Sequence, residues 1–370
     1  MTTLLFIFGT RPEAIKMAPL IRLCRKPKSG FTAKVCITSQ HRQMLDQVLD
    51  FFEINPNHDL DLMKPNQTLF DITAKGLKGL EPVLNEVKPD CVLVQGDTTT
   101  AFIGALAAFY CKIKVGHVEA GLRSGQKYSP YPEEINRIMA GHIADYHFAP
   151  TERARQNLFS ENIKDNVHVV GNTVIDALHL GLSLIKQHGE KSYLKHFKYL
   201  DFSKRIVLIT GHRRESFGAP FENICRAIQT SAKEYPQAEF VYPVHLNPNV
   251  RKPVDKFLKG IKNIHLIEPL DYPYLIWLME KSYLVLTDSG GIQEEAPALG
   301  KPVLVMRDVT ERQEGVDAGT AKLVGTDTNV IIKALRELFE VPEVYNKMAK
   351  AVNPYGDGKT SERIRGILLQ

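Results

Sequence analysis

One pattern constrains this chain more than any other: short runs that are apolar on every residue, each followed by a stretch with helical spacing. LLFIFG leads into a helix from Pro12, KVCITS into a helix from His41, and DCVLVQGD into a helix through the 100s. IKVGHVEA, DYHFAP and VHVVGN continue the series to Asn172. Runs apolar on both faces and separated by helices predict parallel strands covered on both sides. Thr173 to Ser203 is helical and charged with no strand candidate, and then RIVLITGHRRE restarts the alternation. EFVYPVHLNP, NIHLIEP, YLVLTDSGG and KPVLVM carry it to about residue 306. The expected fold is α/β, with two doubly wound Rossmann-like domains facing across a cleft.

The expected boundaries are 1–170 for the N-terminal domain, 171–355 for the C-terminal domain and 356–370 for a last helix returning to the first domain, with Asp357 as its cap. The 370 residues and 44% hydrophobic content are enough for two cores. A net charge of +5 against 42 acidic groups, with no block of like charge, gives no footprint for nucleic acid or a membrane surface. Five scattered cysteines without a C-x-x-C pair read as reduced core residues. MTTLLFIFGTRPE lacks a basic leader region and a small-residue cleavage site, and the apolar stretch Ala101 to Cys111 is too short to span a bilayer. A soluble, cytoplasmic protein is expected.

The two halves rhyme at their loops. Gly9-Thr-Arg-Pro-Glu13 after the first strand matches Gly211-His-Arg-Arg-Glu215, and Gly96-Asp-Thr-Thr-Thr100 matches Thr287-Asp-Ser-Gly-Gly291. Ligands of open parallel sheets bind beyond the carboxyl ends of strands, where all four loops are expected.

Ser289, Gly290 and Gly291 precede a helix start and have the makings of a phosphate cradle: small residues, then amides aimed at an anion. A tight turn is the plainer explanation. Glu294 and Glu295 follow at once, and one of them can accept hydrogen bonds from ribose hydroxyls while the other stays a solvated first-turn acid. Pro297 predicts a kink or a late helix start. Arg11, Lys16, His212, Arg213 and Arg214 suit anion contacts but also suit an ordinary surface. Asp97 and Glu119 fall immediately after strands, where carboxylates are poor core residues unless paired. Glu133 opens a helix, a place that favours any acid. Three acids gathered at one site repel each other and shift apart in pKa, which points to proton transfer.

Together GTRPEAIKMAPL, QGDTTTAF, GHVEAGLRSG, YPEEINR, GNTVIDAL, TGHRRESFG, PVHLNPNV, TDSGGIQEEAPALGKPVLVMRD, TERQEG and NPYGDG resemble the non-hydrolysing UDP-N-acetylglucosamine 2-epimerases of bacteria, in order from the first strand to the C-terminus. The resemblance implies a glycosyltransferase B type fold, UDP-N-acetylglucosamine as substrate, a homodimer, and no need for NAD or a metal. It implies cleft roles for Arg11, Lys16, Asp97, Glu119 and His212, a diphosphate loop at Ser289, Gly290 and Gly291, a ribose acceptor at Glu295, and a binding base at Arg312. Leu270 and Leu275 correspond to the uracil wall.

The implied reaction eliminates UDP to give 2-acetamidoglucal, reprotonates C2 from the other face and adds UDP back, with Asp97, Glu119 and Glu133 as acids and bases and His212 among the groups that stabilise the leaving diphosphate. Gln40, His41, Gln43 and His245 correspond to residues that in some members receive a second, activating UDP-N-acetylglucosamine, although Asn66 stands where some allosteric members carry Arg. An epimerase of a modified UDP-sugar, a glycosyltransferase of the same fold and a non-enzymatic UDP-sugar sensor are the alternatives.

Overall fold

The structure, a computed structural model, describes residues 1–38, 42–62 and 67–370, with Arg42 and Gln43 described by their backbone alone. The chain forms two compact units, one of Met1–Leu180 with Tyr355–Gln370 and one of Gly181–Pro354, so the division falls inside the helix Thr173–His188.

In the first unit, strands β1 (Thr2–Phe8), β2 (Phe31–Ile37), β3 (His58–Asp59), β4 (Cys91–Gln95), β5 (Lys114–Val118), β6 (Tyr146–Ala149) and β7 (Val167–Val169) make one sheet in the order β3-β2-β1-β4-β5-β6-β7. Every pairing is parallel. Helices cover both faces, which is why β4 reads as five consecutive buried residues instead of alternating. Leu5, Ile7, Val92 and Val94 pack with Leu80, Leu84 and Ile103 of the flanking helices. The first connection turns sharply at Gly9, where a Cβ would lie 2.0 Å from Thr38 Oγ1 and 2.7 Å from Thr100 Oγ1. Those two hydroxyls are hydrogen-bonded at 2.8 Å directly beneath the turn.

In the second unit, β8 (Arg205–Thr210), β9 (Ala238–Pro243), β10 (Ile264–Ile267), β11 (Leu284–Thr287), β12 (Val303–Val305) and β13 (Ala321–Leu323) form a second all-parallel sheet in the order β10-β9-β8-β11-β12-β13. Its core gathers Val207, Ile209, Phe240, Leu286, Ile224 and Leu335. In each sheet the strand order reverses beside the first strand, at β1/β4 and at β8/β11, the place where loops diverge and leave room for a ligand. The two short strands β3 and β13 were not anticipated; two or three residues are too few to show a pattern.

Several local expectations change. The last helix, Thr360–Leu368, is capped by Asp176, whose carboxylate accepts from the Ser361 amide at 2.7 Å and the Thr360 amide at 3.2 Å. Asp357 instead pairs with Arg363 at 2.7 Å. The same helix donates from Arg365 to the Ser29 carbonyl at 2.8 Å, holding the C-terminus in the first unit. Cys111 is exposed at a helix end while the other four cysteines are buried. Pro297 does not delay the start of its helix, which runs Gly290–Ala298 and ends one residue beyond the proline. Among the described residues no helix is long and apolar enough to cross a membrane.

Candidate active site

In the first unit, the ends of β1, β4 and β5 bring one group of residues together. Glu13, three residues into the helix Arg11–Cys24, turns back to accept from the Gly9 and Thr10 amides at 3.0 and 2.8 Å. It also accepts from Thr98 Oγ1 at 2.6 Å, which joins the first loop to the loop after β4. Glu13 is buried, and burial raises its pKa above the ordinary carboxylate value against the opposing hydrogen bonds. Lys16, one turn further on, reaches Glu119: Nζ lies 2.6 and 2.8 Å from the two carboxylate oxygens. Glu119 also accepts from Asn172 Nδ2 at 3.0 Å and from Gln95 Nε2. Its backbone adopts φ +65°, unusual for a residue with a side chain. Such a conformation is held only where the surroundings over-determine it, and three donors do so here.

Asp97 lies on the turn after β4. Its carboxylate pairs with Arg137, and its carbonyl accepts from Asn136 Nδ2 at 3.0 Å. Both partners come from the helix Glu133–Ile143, whose first residue is the expected acid Glu133. Arg137 also lies 3.4 Å from Glu134, a buried acid whose carboxylate accepts from the Ser124 and Gly125 amides and so shapes the loop after β5. The repulsion expected among the acids is answered locally: Asp97 has Arg137 and Glu119 has Lys16. The two turns are neighbours, since a Cβ on Gly96 would sit 3.6 Å from Glu119 Oε2.

In the second unit, Ser289 precedes the helix Gly290–Ala298, with Gly290 and Gly291 as its first two residues. The buried Asp288 ties this start to the loop after β8, accepting from the His212 and Arg213 amides at 2.6 and 2.8 Å. The His212 ring is 3.7 Å from the same carboxylate and stacks on His245 with centroids 5.1 Å apart. Burial lowers the His212 pKa, Asp288 pulls it back up, and His245 and Arg213 add to the lowering.

Glu294, expected to be solvated, is 2% exposed and accepts from Arg312 Nε at 2.8 Å. The correction follows from β12, whose following loop brings a guanidinium over the first helical turn where a bare acid would otherwise be desolvated. Arg312 also lies over the cradle, since a Cβ on Gly290 would be 3.4 Å from its Cζ. Glu311 bridges Arg307 and Arg312. Burial opposes its ionisation, yet Arg312 and Arg307 hold its pKa at about 2. Glu295 is buried and accepts from the Tyr272 hydroxyl at 2.8 Å. Leu270 and Leu275 are half-buried, on either side of the start of the helix Tyr272–Lys281.

Arg11 is the half-buried first residue of its helix. Gln40, His41 and Asn66 lie outside the described residues, as does the side chain of Gln43. His245 is exposed, its Nδ1 accepting from the Asn247 amide at 3.1 Å. Sequence reading passed over Glu13, Gln95, Arg137, Asn172, Asp288 and Tyr272. Most stand inside the motifs already quoted; Glu13 carried a local signal in the Thr10-x-x-Glu13 capping-box spacing, but the other five have partners far away in the chain and nothing local marks them.

A family model described as UDP-N-acetylglucosamine 2-epimerase matches residues 24–369. A Yersinia pestis protein named UDP-N-acetylglucosamine 2-epimerase is 55% identical over 363 residues, covering 97% of this chain and 96% of its own. The crystal structure of UDP-GlcNAc 2-epimerase from Neisseria meningitidis bound to UDP-GlcNAc superposes with a TM-score of 0.90 at 54% identity, covering 100% of both chains. Acinetobacter baumannii MurG, at 14% identity and a TM-score of 0.59 over 100% of this chain and 99% of its own, shares the fold alone. With fold, motifs and relatives in agreement over nearly the full length, the chain belongs to the UDP-N-acetylglucosamine 2-epimerase family.

Proposed function

We propose that the chain interconverts UDP-N-acetylglucosamine and UDP-N-acetylmannosamine by eliminating UDP and adding it back. A base removes the C2 proton, the C1–O bond breaks with its electron pair leaving on UDP, and a C1–C2 double bond forms. A proton then returns to C2 on the opposite face as the UDP oxygen rebonds to C1. The C2 proton has no adjacent carbonyl, so its acidity depends on cationic character at C1 as the diphosphate departs. Stabilising that departing charge is therefore a catalytic task as well as a binding one.

The observation that carries this reading is the pair of fixed carboxylates Asp97 and Glu119, at the ends of adjacent strands and each held beside a cation. A base and an acid are what a proton removed and returned on opposite faces requires. Glu133 joins them as the third candidate. Ser289, Gly290, Gly291, Arg11, Lys16, His212 and Arg312 would meet the diphosphate, Glu295 the ribose, and Leu270 and Leu275 the uracil. A glycosyltransferase would need an acceptor and one base, leaving carboxylates without a task. The same reading includes a homodimer working in the cytoplasm, and a second UDP-N-acetylglucosamine bound near Gln40, His41, Gln43 and His245.

Incubation with UDP-N-acetylglucosamine in deuterated water, without an acceptor, tests the reaction by NMR at C2. Deuterium at C2 with a manno product is expected; intact binding without exchange would sink the proposal. A sigmoidal dependence of rate on substrate is expected if the second molecule activates, and a strictly hyperbolic one removes that part.

A further inference from the structure

The turn that presents Asp97 is pinned to β5 through a single glycine. Gly96 leaves β4 with φ +70°, a conformation that suits a residue without a side chain. Its N–H donates to the Val118 carbonyl at 2.9 Å, and its carbonyl oxygen lies 2.7 Å from His117 Nε2. Consecutive residues of β5 thus hold both backbone polar groups of the residue that precedes Asp97, one on each of its flanking peptide units.

We propose that His117 is a positioning residue for proton transfer: by donating from Nε2 to the Gly96 carbonyl, it fixes the turn that aims the Asp97 carboxylate. This inference rests on the reading of Asp97 as a proton-transfer group. A carbonyl oxygen has no proton to give, so Nε2 must carry the hydrogen, and the neutral ring then has a bare Nδ1. That Nδ1 is buried and has no hydrogen-bond partner among the described residues.

An unsatisfied buried nitrogen is costly, and the neighbouring core positions Val115 and Val118 are simple aliphatics. A position serving packing alone would be filled the same way; a donor directed at Gly96 explains the imidazole. The surroundings keep the ring neutral. Burial lowers its pKa to about 4, and His147 on the adjacent strand and Arg123 push the same way against the Gly96 bond and Glu119. One tautomer therefore persists across the neutral range, and the turn does not loosen as surface histidines titrate.

Three variants test this. His117→Phe keeps a ring and removes the donor. His117→Asn keeps polarity but its amide is too short to reach. His117→Gln places an N–H where Nε2 stands. Loss of the bond is expected to lower kcat for C2 exchange roughly 10- to 100-fold, the cost of a displaced catalytic group. KM should stay within about twofold, as for an interaction made only in the transition state. His117→Gln should recover most of kcat, and His117→Asn should behave like His117→Phe if the latter folds poorly.

Wild-type kcat in His117→Phe or His117→Asn, or equal impairment in all three, would overturn the inference. Asp97→Asn is run alongside. If it still exchanges C2, the reading of Asp97 falls and this inference with it; if it is dead while His117→Phe is normal, the inference alone fails.

Discussion

Arg312 Nε donates to Glu294 Oε1 across 2.8 Å, so the base expected to meet the diphosphate already holds a buried acid of the helix that follows the cradle. Glu294 is almost fully buried and Arg312 nearly so, with side-chain exposures of 2% and 18%. Removing one partner of such a pair strands the other charge away from water.

Arg312→Ala is therefore expected to cost about 3 kcal/mol of stability and to slow C2 exchange. Adding Glu294→Gln to that variant should restore part of the stability and none of the rate. Urea unfolding and exchange kinetics separate the two effects. An Arg312→Ala protein as stable as the wild type would show that the pair is not desolvated.

Gly291 offers a cleaner separation of stability from binding. A Cβ there meets only Glu295 Oε2 at 3.9 Å, ordinary contact distance, and the residue is helical. Alanine is favoured over glycine in a helix by about 1 kcal/mol, so Gly291→Ala should be as stable as the wild type or more so. UDP affinity by calorimetry should nevertheless fall about tenfold, because a methyl group holds the diphosphate off the amides. Unchanged affinity would place the diphosphate elsewhere. Gly9→Ala, by contrast, drives a carbon into Thr38 and Thr100 and should cost about 1–3 kcal/mol of stability.

Glu295, fixed by the Tyr272 hydroxyl at 2.8 Å, is assigned to the ribose. Glu295→Gln should weaken UDP binding about tenfold, the worth of a hydrogen bond to a charged acceptor. Binding of 2′,3′-dideoxy-UDP, which lacks the hydroxyls, should be equally weak to both proteins. A mutation that weakened the two ligands alike would detach Glu295 from the ribose.

His117 and His147 make stability depend on pH. Burial takes each imidazole from an ordinary 6.5 to about 4 in the folded chain. Between those values the unfolded chain binds protons that the folded chain refuses, so stability rises with pH from about 4 to 6.5. It is fully present above 6.5 and is lost as the pH falls toward 4. The slope is at most about 1.4 kcal/mol per pH unit for each histidine. His147→Gln should show a smaller difference in unfolding free energy between pH 5 and pH 7 than the wild type; an equal difference would mean that the His147 pKa is not displaced.

The alternation of all-apolar runs and helical stretches made both parallel sheets legible, because strands covered on both faces leave a continuous signal that needs no partner to be read. The short strands β3 and β13 carried too few residues for that signal. Polar loops at strand ends were legible for a related reason: Asp97, Glu119, Ser289 and His212 interrupt apolar runs, and carboxylates or small residues in those positions invite a chemical explanation.

The residues that hold these groups were not legible. Arg137 lies 40 positions from Asp97, and Asn172 lies 53 from Glu119. Asp176 caps a helix 184 positions away. A hydrogen bond between such residues leaves no periodicity in the chain. Glu294 was misread for the same reason, since its burial depends on where the loop after β12 carries Arg312.

The sequence by itself thus determined two doubly wound sheets and the residue types available at their strand ends, because burial on both faces and turn chemistry are local properties. Only the tertiary structure decided which acid has which base: Lys16 for Glu119, Arg137 for Asp97 and Arg312 for Glu294. Desolvation and charge pairing depend on distances through space, and those exist only once the chain has folded.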